Sequence, residues 1–519
     1  MKNITKFIAV AIITLFITAC NRDEIADVNT NPSFPTEVEP IYLLPQIQAY
    51  MATGVQFDAR LLGKYTQYFS HSTSNYTIDR YGYFAGSDFG GEIWKMAYYS
   101  IGLNLSNVIT TAHSAERYDI EGMGKIIRGW TWQATTDYHS DLIKFDQVFT
   151  ARLTFDYGTQ EEAYAEVKRL ALEGIADIDR TDGKYDISYT AKGDLIYGGD
   201  KTKWKKFAYG LLARNAQNLS NKAGYNPAEV IAWVDQSFTS ISDDCNVKFA
   251  GTNTSDANFF GPVRNNMALF RQTDFIVKTM DGTIFGGVID PRMQAVLVPS
   301  QDGVFRGNPL NTSAGTVAAT RIPNLWGGTT HTVSTLAGRY LFRDNVDFPI
   351  MTYAELQFIK AEAAFKLGDN ALALDAYKKA IAASIDMVNK YTVPVAPTTV
   401  SPVLPGASLI TAAQKTAFLA DPNIVPATLT LKHILLQKYV ALFGYGYLET
   451  WTDMRKHHYD TAIYEGMVFP SFYVDNGGKI AYRVRPRYNS EYVWNYAALQ
   501  AIGGDKPDYH TVEMWFSQP

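Results

Sequence analysis

Apolar residues along most of this chain recur at helical spacing. Thr159-Gln160-Glu161-Glu162 has the form of a capping box, in which the threonine hydroxyl accepts from the Glu162 N–H and the glutamate reaches back. Behind it Ala163, Val167, Leu170, Ala171, Gly174 and Ile178 fall on one helical stripe. Leu356, Ile359, Ala363 and Leu367 make a second stripe, and Gly368 is placed to end it as a left-handed cap. Asn370 can cap the next helix, where Leu374, Tyr377, Ile381 and Ile385 face inward. Residues 352–386 therefore read as a helical hairpin, and further helices are expected over 92–113, 120–136, 203–220, 227–238 and 429–446. Two regions break the pattern. Residues 251–347 are rich in Gly, Asn and Thr yet contain Phe259, Phe260, Phe305, Trp326 and Tyr340. Residues 391–409 carry Pro394, Pro397, Pro402 and Pro405 and read as a surface excursion. Loops this long inside a folded body usually serve function, and the rings in the first favour that reading.

The expected fold is mostly α with minor β, a single large domain over 41–519 with long ligand-binding loops. Ala373, Tyr377 and Ala380 have the spacing of the second helix of a tetratricopeptide repeat, where small residues let neighbouring helices approach. One repeat cannot stand alone, since such stacks need about three; the other helices can supply degenerate copies.

The first residues depart from this body. Lys2 and Lys6 precede the apolar run Phe7–Ile17, which is too short to span a bilayer, and Thr18-Ala19-Cys20 closes it. Residues 1–19 read as a signal peptide, and Ile17-Thr18-Ala19-Cys20 resembles the bacterial lipobox, with Cys20 the lipidated residue. Residues 20–40 follow as a tether containing Pro32, Pro35 and Pro40 and five acidic side chains. The pair Asp23-Glu24 resembles the surface-export signals of Bacteroidota lipoproteins. With Cys20 acylated, Cys245 has no partner and is expected to be a small buried thiol.

A net charge of −5 argues against a nucleic-acid partner. Aromatic residues make up 13% of the chain, an excess that suits exposed rings on a binding surface. No HExxH, GxSxG, phosphate-binding loop or dinucleotide fingerprint occurs. Asp137, His139 and Asp141 are spaced two apart, a poor ligand set on a helix, and neither they nor His457-His458 define a metal site. No catalytic residue, metal or cofactor is expected.

An ordered series of segments resembles the SusD/RagB family of Bacteroidota outer-membrane nutrient-binding lipoproteins, on its SusD-like branch. The series runs through Asn29-Thr30-Asn31-Pro32, Trp94–Tyr98, Tyr197-Gly198-Gly199-Asp200 with Lys203–Ala208, Asp290-Pro291-Arg292, Thr352–Ala363, Glu449–Arg455 and Pro486–Glu491 with Asn495. Two segments depart from it: Tyr138–Lys144 reads YHSDLIK where many members have a Tyr-Gly-Asp motif, and Asn489 stands where proline is common. The resemblance implies capture of an oligosaccharide, or of a peptide in the same architecture, at the outer-membrane surface. It also implies delivery to a SusC-like TonB-dependent transporter. A surface glycosidase is the rival class; it requires two carboxylates about 5–10 Å apart in a cleft.

Buried charges persist only when paired. Lys438 with Glu449 and Asp453 with Arg455 are expected as ion-paired or capping groups of the scaffold rather than catalysts, and Glu355, Glu362, Glu449, Trp451, Arg455 and Arg487 read as scaffold. For ligand contact, rings cover the apolar face of a sugar while amides and guanidinium groups bond its hydroxyls. The candidates are Asn75, Tyr76, Arg80, Tyr81 and Tyr83 from the Tyr-dense segment before residue 92, and Phe260, Arg321, Asn324 and Trp326 from the long loop region.

Overall fold

The computed structural model describes residues 38–328, 338–392 and 408–519. The leader, Cys20, nearly all of the tether and most of the proline-rich excursion lie outside these. Ten longer helices carry the architecture: α1 Pro40–Tyr65, α2 Gly102–Ser114, α3 Tyr118–His139, α4 Gln160–Asp179, α5 Lys201–Asn218, α6 Pro227–Gln236, α7 Tyr353–Leu367, α8 Asn370–Tyr391, α9 Leu431–Ala441 and α10 Tyr447–Lys456. They form three successive pairs, α3 with α4, α5 with α6 and α7 with α8, each packed on the next. That supplies the three units such a stack needs to bury its own faces. Helix α1 lies against α2 and α10, and α9 packs on α7. The strands are short antiparallel pairs. β1 (Phe69–His71) pairs with β5 (Phe270–Gln272), β2 (Leu142–Ile143) with β3 (Tyr157–Gly158), and β4 (Cys245–Val247) with β6 (Phe348–Met351).

Local signals behave as their chemistry requires. The box at Thr159 and Glu162 is formed in both directions. Gly368 ends α7 at φ 84°, a conformation open to glycine at little cost. Small residues set the spacing between α3 and α4: a Cβ on Gly122 would lie 2.5 Å from the Gly174 carbonyl oxygen. Cys245 is a buried free thiol in β4, and burial pushes its ionisation upward.

Several expectations need correction. Pro40 belongs to α1 rather than to a tether, and α1 itself carries Pro45 in its first turns. The helix expected over 92–113 is broken: Glu92–Lys95 runs into a π turn over Met96–Ser100 before α2 begins. The helix expected over 429–446 is shorter: α9 ends at Ala441, and Gly444 takes φ 95° before α10 begins. Asp369, not Asn370, caps α8 by accepting from the Leu372 N–H.

The paired charges form a buried network across these helices with different partners from those expected. Arg214 of α5 holds Glu355 of α7 through two 2.8 Å hydrogen bonds and meets Glu449 at 3.0 Å. Lys438 pairs with Asp453 at 2.7 Å, not with Glu449. Lys456 lies 3.0 Å from Glu362 and 3.2 Å from Asp453. Arg455 makes no pair with Asp453; it covers the Trp451 ring at 3.7 Å and donates to Thr452. A guanidinium can use a ring face and hydroxyl acceptors where an ammonium needs a carboxylate. Glu362, with Lys456, His457 and Lys438 around it, is held well below the usual carboxylate range despite its burial.

Candidate functional site

The two loop sets singled out in the sequence meet. Asn308 donates to the Ser70 hydroxyl and the His71 carbonyl, and Ala314 N–H donates to the Ser72 carbonyl. Asn75 N–H donates to Asn311 at 2.7 Å, and the Asp79 carboxylate accepts from the backbones of His71 and Asn311. At this junction Asn75 is exposed at φ 59°. Tyr76 is half-buried with its ring stacked 4.1 Å from His71. Arg80 is half-buried, and its guanidinium is engaged by the carbonyls of Ser471 and Phe472. Arg321 is half-buried. Tyr83 is half-buried as well; its hydroxyl donates to Asp475, and Arg485 lies over its ring at 4.0 Å.

Four of the named residues are core instead. Tyr81 is stacked on Tyr65, with centroids 5.0 Å apart. Phe260, Asn324 and Trp326 are buried: the Trp326 indole N–H donates to the Phe260 carbonyl at 2.8 Å, and Asn324 accepts from the backbones of Trp326 and Gly328. Here an indole closes its own loop onto the body, which is the other use of a ring with one polar handle. Beneath the junction Lys64 sits buried over the Phe270 ring at 3.5 Å, and desolvation pushes it down to about 7.

Two clefts that share Arg487 carry accessible aromatic side chains. The larger, about 630 Å³, has Trp94, Tyr98, Ile143, Phe149 and Phe155 among its lining residues. Tyr99 and Trp494 edge it, 78% and 74% exposed, together with Leu153 at 91%. The π turn at Met96–Ser100 carries Tyr98 and Tyr99, and one extra residue per turn re-aims side chains in this way. Most of the polar groups lining this cleft already have partners. Asn495 exchanges hydrogen bonds with the Phe155 backbone at 2.9 and 3.0 Å, and Glu491 accepts from Tyr157 and Asn495. The smaller cleft, about 200 Å³, includes Tyr83, Phe84, Ser87, Tyr488, Tyr492 and Asp505. Tyr488 and Tyr492 stack at 5.4 Å. Arg487 lines both clefts and meets Asp88 at 2.5 Å, so this half-exposed side chain belongs to the site as well as to the scaffold.

Of the predicted residues, Tyr83 lines one of these two clefts; Tyr99, Trp494 and the Tyr488–Tyr492 pair escaped the sequence reading. The available signal was Tyr98-Tyr99 and Trp494 standing inside segments that otherwise read as scaffold.

Helix pairs in series, short strand pairs and long loops around aromatic clefts describe a class of large helical binding proteins. A family model described as SusD-like, starch-binding and associating with the outer membrane matches residues 32–484, and the chain belongs to that family. None of the curated protein sequences matches the chain significantly. Among solved structures, a SusD/RagB family protein from Bacteroides thetaiotaomicron is similar over 93% of this chain and 99% of its own, at 19% identity and TM-score 0.68. A chitin-binding protein covers 93% and 100% at the same identity and score. A SusD homologue from Bacteroides vulgatus covers 92% and 97% at 16% identity and TM-score 0.66. Among the described residues no helix is long and apolar enough to cross a membrane.

Proposed function

We propose that this protein captures oligosaccharide at the outer-membrane surface, anchored there through lipid on Cys20, and passes it to a SusC-like TonB-dependent transporter. The observation that carries the capture step is the exposed ring pair Tyr99 and Trp494 edging the larger cleft, beside a second cleft lined by Tyr83, Tyr488, Tyr492, Ser87 and Arg487. Rings stack on the C–H face of a pyranose, and the hydroxyl, carboxylate and guanidinium groups of the smaller cleft bond its rim. Asn75, Tyr76, Arg80 and Arg321 are proposed as further ligand contacts from the two loop sets. The family's description as starch-binding supports the ligand class. The apolar lining of the larger cleft, with its polar groups already engaged, equally suits apolar side chains of a peptide. Peptide capture is therefore the second reading.

Calorimetry against a panel of neutral glycans and apolar peptides tests both. Replacing two stacking rings at about 1 kcal/mol each removes about 2 kcal/mol, or roughly 30-fold in affinity. A Tyr99→Ala, Trp494→Ala double variant is expected to show that loss with an unchanged melting temperature, since neither ring is core. Unaltered affinity in the variant would remove the cleft from the capture surface.

A further inference from the structure

Arg271 sits in β5 opposite Ser70 of β1, fully buried. Its Nη1 donates to the carbonyls of Ala268 and Phe270, while Nε and Nη2 have no partner. These two nitrogens form one edge of the guanidinium, the edge that fits the two oxygens of a carboxylate or sulfate. Elsewhere in this molecule the same edge is filled. Nε and Nη2 of Arg214 hold Glu355, those of Arg292 hold Asp290, and those of Arg117 hold Asp119. At Arg271 no carboxylate among the described residues takes that place.

The neighbouring charge has the same sign. Burial, with the positive charge of Arg321 added, pushes the Arg271 guanidinium down to about 10. The backbone explains their proximity: Ser72, just past β1, accepts from Ala314 N–H, and Ala314 accepts from Ile322 N–H, which brings Arg321 alongside the β1–β5 ladder. The Arg321 Nε is buried without a partner, and so is the Ser72 hydroxyl. Two guanidinium groups and a hydroxyl thus carry unused donors along this one stretch of backbone ladder. Buried donors left unmade, and like charges left uncompensated, are costly enough that native proteins seldom keep them without a use.

We propose that Arg271 and Arg321 bind an oxyanion, the carboxylate or sulfate group of an acidic oligosaccharide. This rests on the capture reading above and narrows its ligand class. Arg321, half-exposed, receives the group, and the buried, unpaired edge of Arg271 is the donor pair that would hold it.

Full-length protein is titrated with an oligogalacturonide, with a neutral malto-oligosaccharide of equal length, and with sodium sulfate against sodium chloride at matched ionic strength. The expected result is at least tenfold tighter binding of the uronate than of the neutral oligomer, and a melting temperature raised by sulfate but not by chloride. Arg321→Gln should abolish both differences. Arg271→Gln, which removes the buried charge, should abolish the sulfate response without lowering the melting temperature of the free protein. Equal affinity for uronate and neutral oligomers with no sulfate response overturns the site and leaves neutral-sugar capture standing. A sulfate response lost in both variants, without uronate preference, assigns the site to a free anion and overturns the acidic ligand. Failure of every oligosaccharide alongside a preserved sulfate response instead defeats the capture reading.

Discussion

Asp58 shows how a single buried carboxyl sets a pH dependence for the whole chain. It projects from α1 to accept the Ile93 N–H at 2.8 Å, and burial pushes it up to about 8 from an ordinary value of 3.8. The folded state therefore keeps a proton that the unfolded chain releases above about pH 4. The contribution of this group is present below that value and is lost as pH rises toward 8, at up to about 1.4 kcal/mol per pH unit. Asparagine keeps the acceptor for Ile93 without the proton. Urea denaturation of Asp58→Asn at pH 6, 7 and 8 is expected to show a stability gain over wild type that grows with pH. A gain independent of pH would mean that Asp58 is already ionised in the folded protein. At this scale the sequence was legible where the chemistry was local, as at Thr159, Glu162 and Gly368. It was not legible for Trp326 and Tyr81, because a ring in a polar, aperiodic segment looks the same whether it faces solvent or closes its loop. Only the acceptor found by the Trp326 indole, 66 positions away, decides which.

Among elements, the contact of α3 with α4 depends on the absence of side chains. An added Cβ at Gly122 would meet the Gly174 carbonyl at 2.5 Å and Ile178 at 2.7 Å, and part of that contact is backbone that cannot rotate away. At Gly129 on the same helix the nearest neighbours stand at 3.4 Å or more. Glycine to alanine within a helix ordinarily stabilises by up to about 1 kcal/mol. Gly129→Ala should follow that rule, whereas Gly122→Ala should lose about 1–3 kcal/mol through forced separation of the pair. Chemical denaturation of both variants gives the comparison, and equal stabilisation by both would show that α3 and α4 are not held this close. The helix pairs could be read from periodicity because each stripe is a local pattern. Helix α1 could not, since it lacks a side-chain N-cap and carries Pro45. The larger cleft was hidden for another reason: its wall joins the π turn, the loop around Phe149–Phe155 and Trp494, segments brought together only by contacts such as that of Asn495 with Phe155.

On the scale of the whole molecule, a stack of helix pairs carries its clefts at turns and loops, and the proposed lipid site stands about twenty residues ahead of α1. About twenty residues give an r.m.s. reach of roughly 25 Å, enough for hinged motion beside a transporter at high effective concentration. Cys20→Ala is expected to leave a folded protein in the soluble fraction, and the unaltered lipoprotein drawn from detergent-solubilised membrane should bring a large β-barrel with it. Recovery of the lipoprotein alone would refute that partnership. The overall class was legible because it rests on many weak segments in order; the clefts were not, because they rest on side chains distant in sequence. One buried atom offers a way to watch the molecule open. Under the proposed lipidation of Cys20, the Cys245 sulfur is the single thiol in the chain, buried in the ladder that ties β4 to β6 ahead of α7. At reagent concentrations where labelling outpaces reclosing, its rate of reaction with a thiol reagent is then a clock for the breathing of that ladder, set by how often the joint parts.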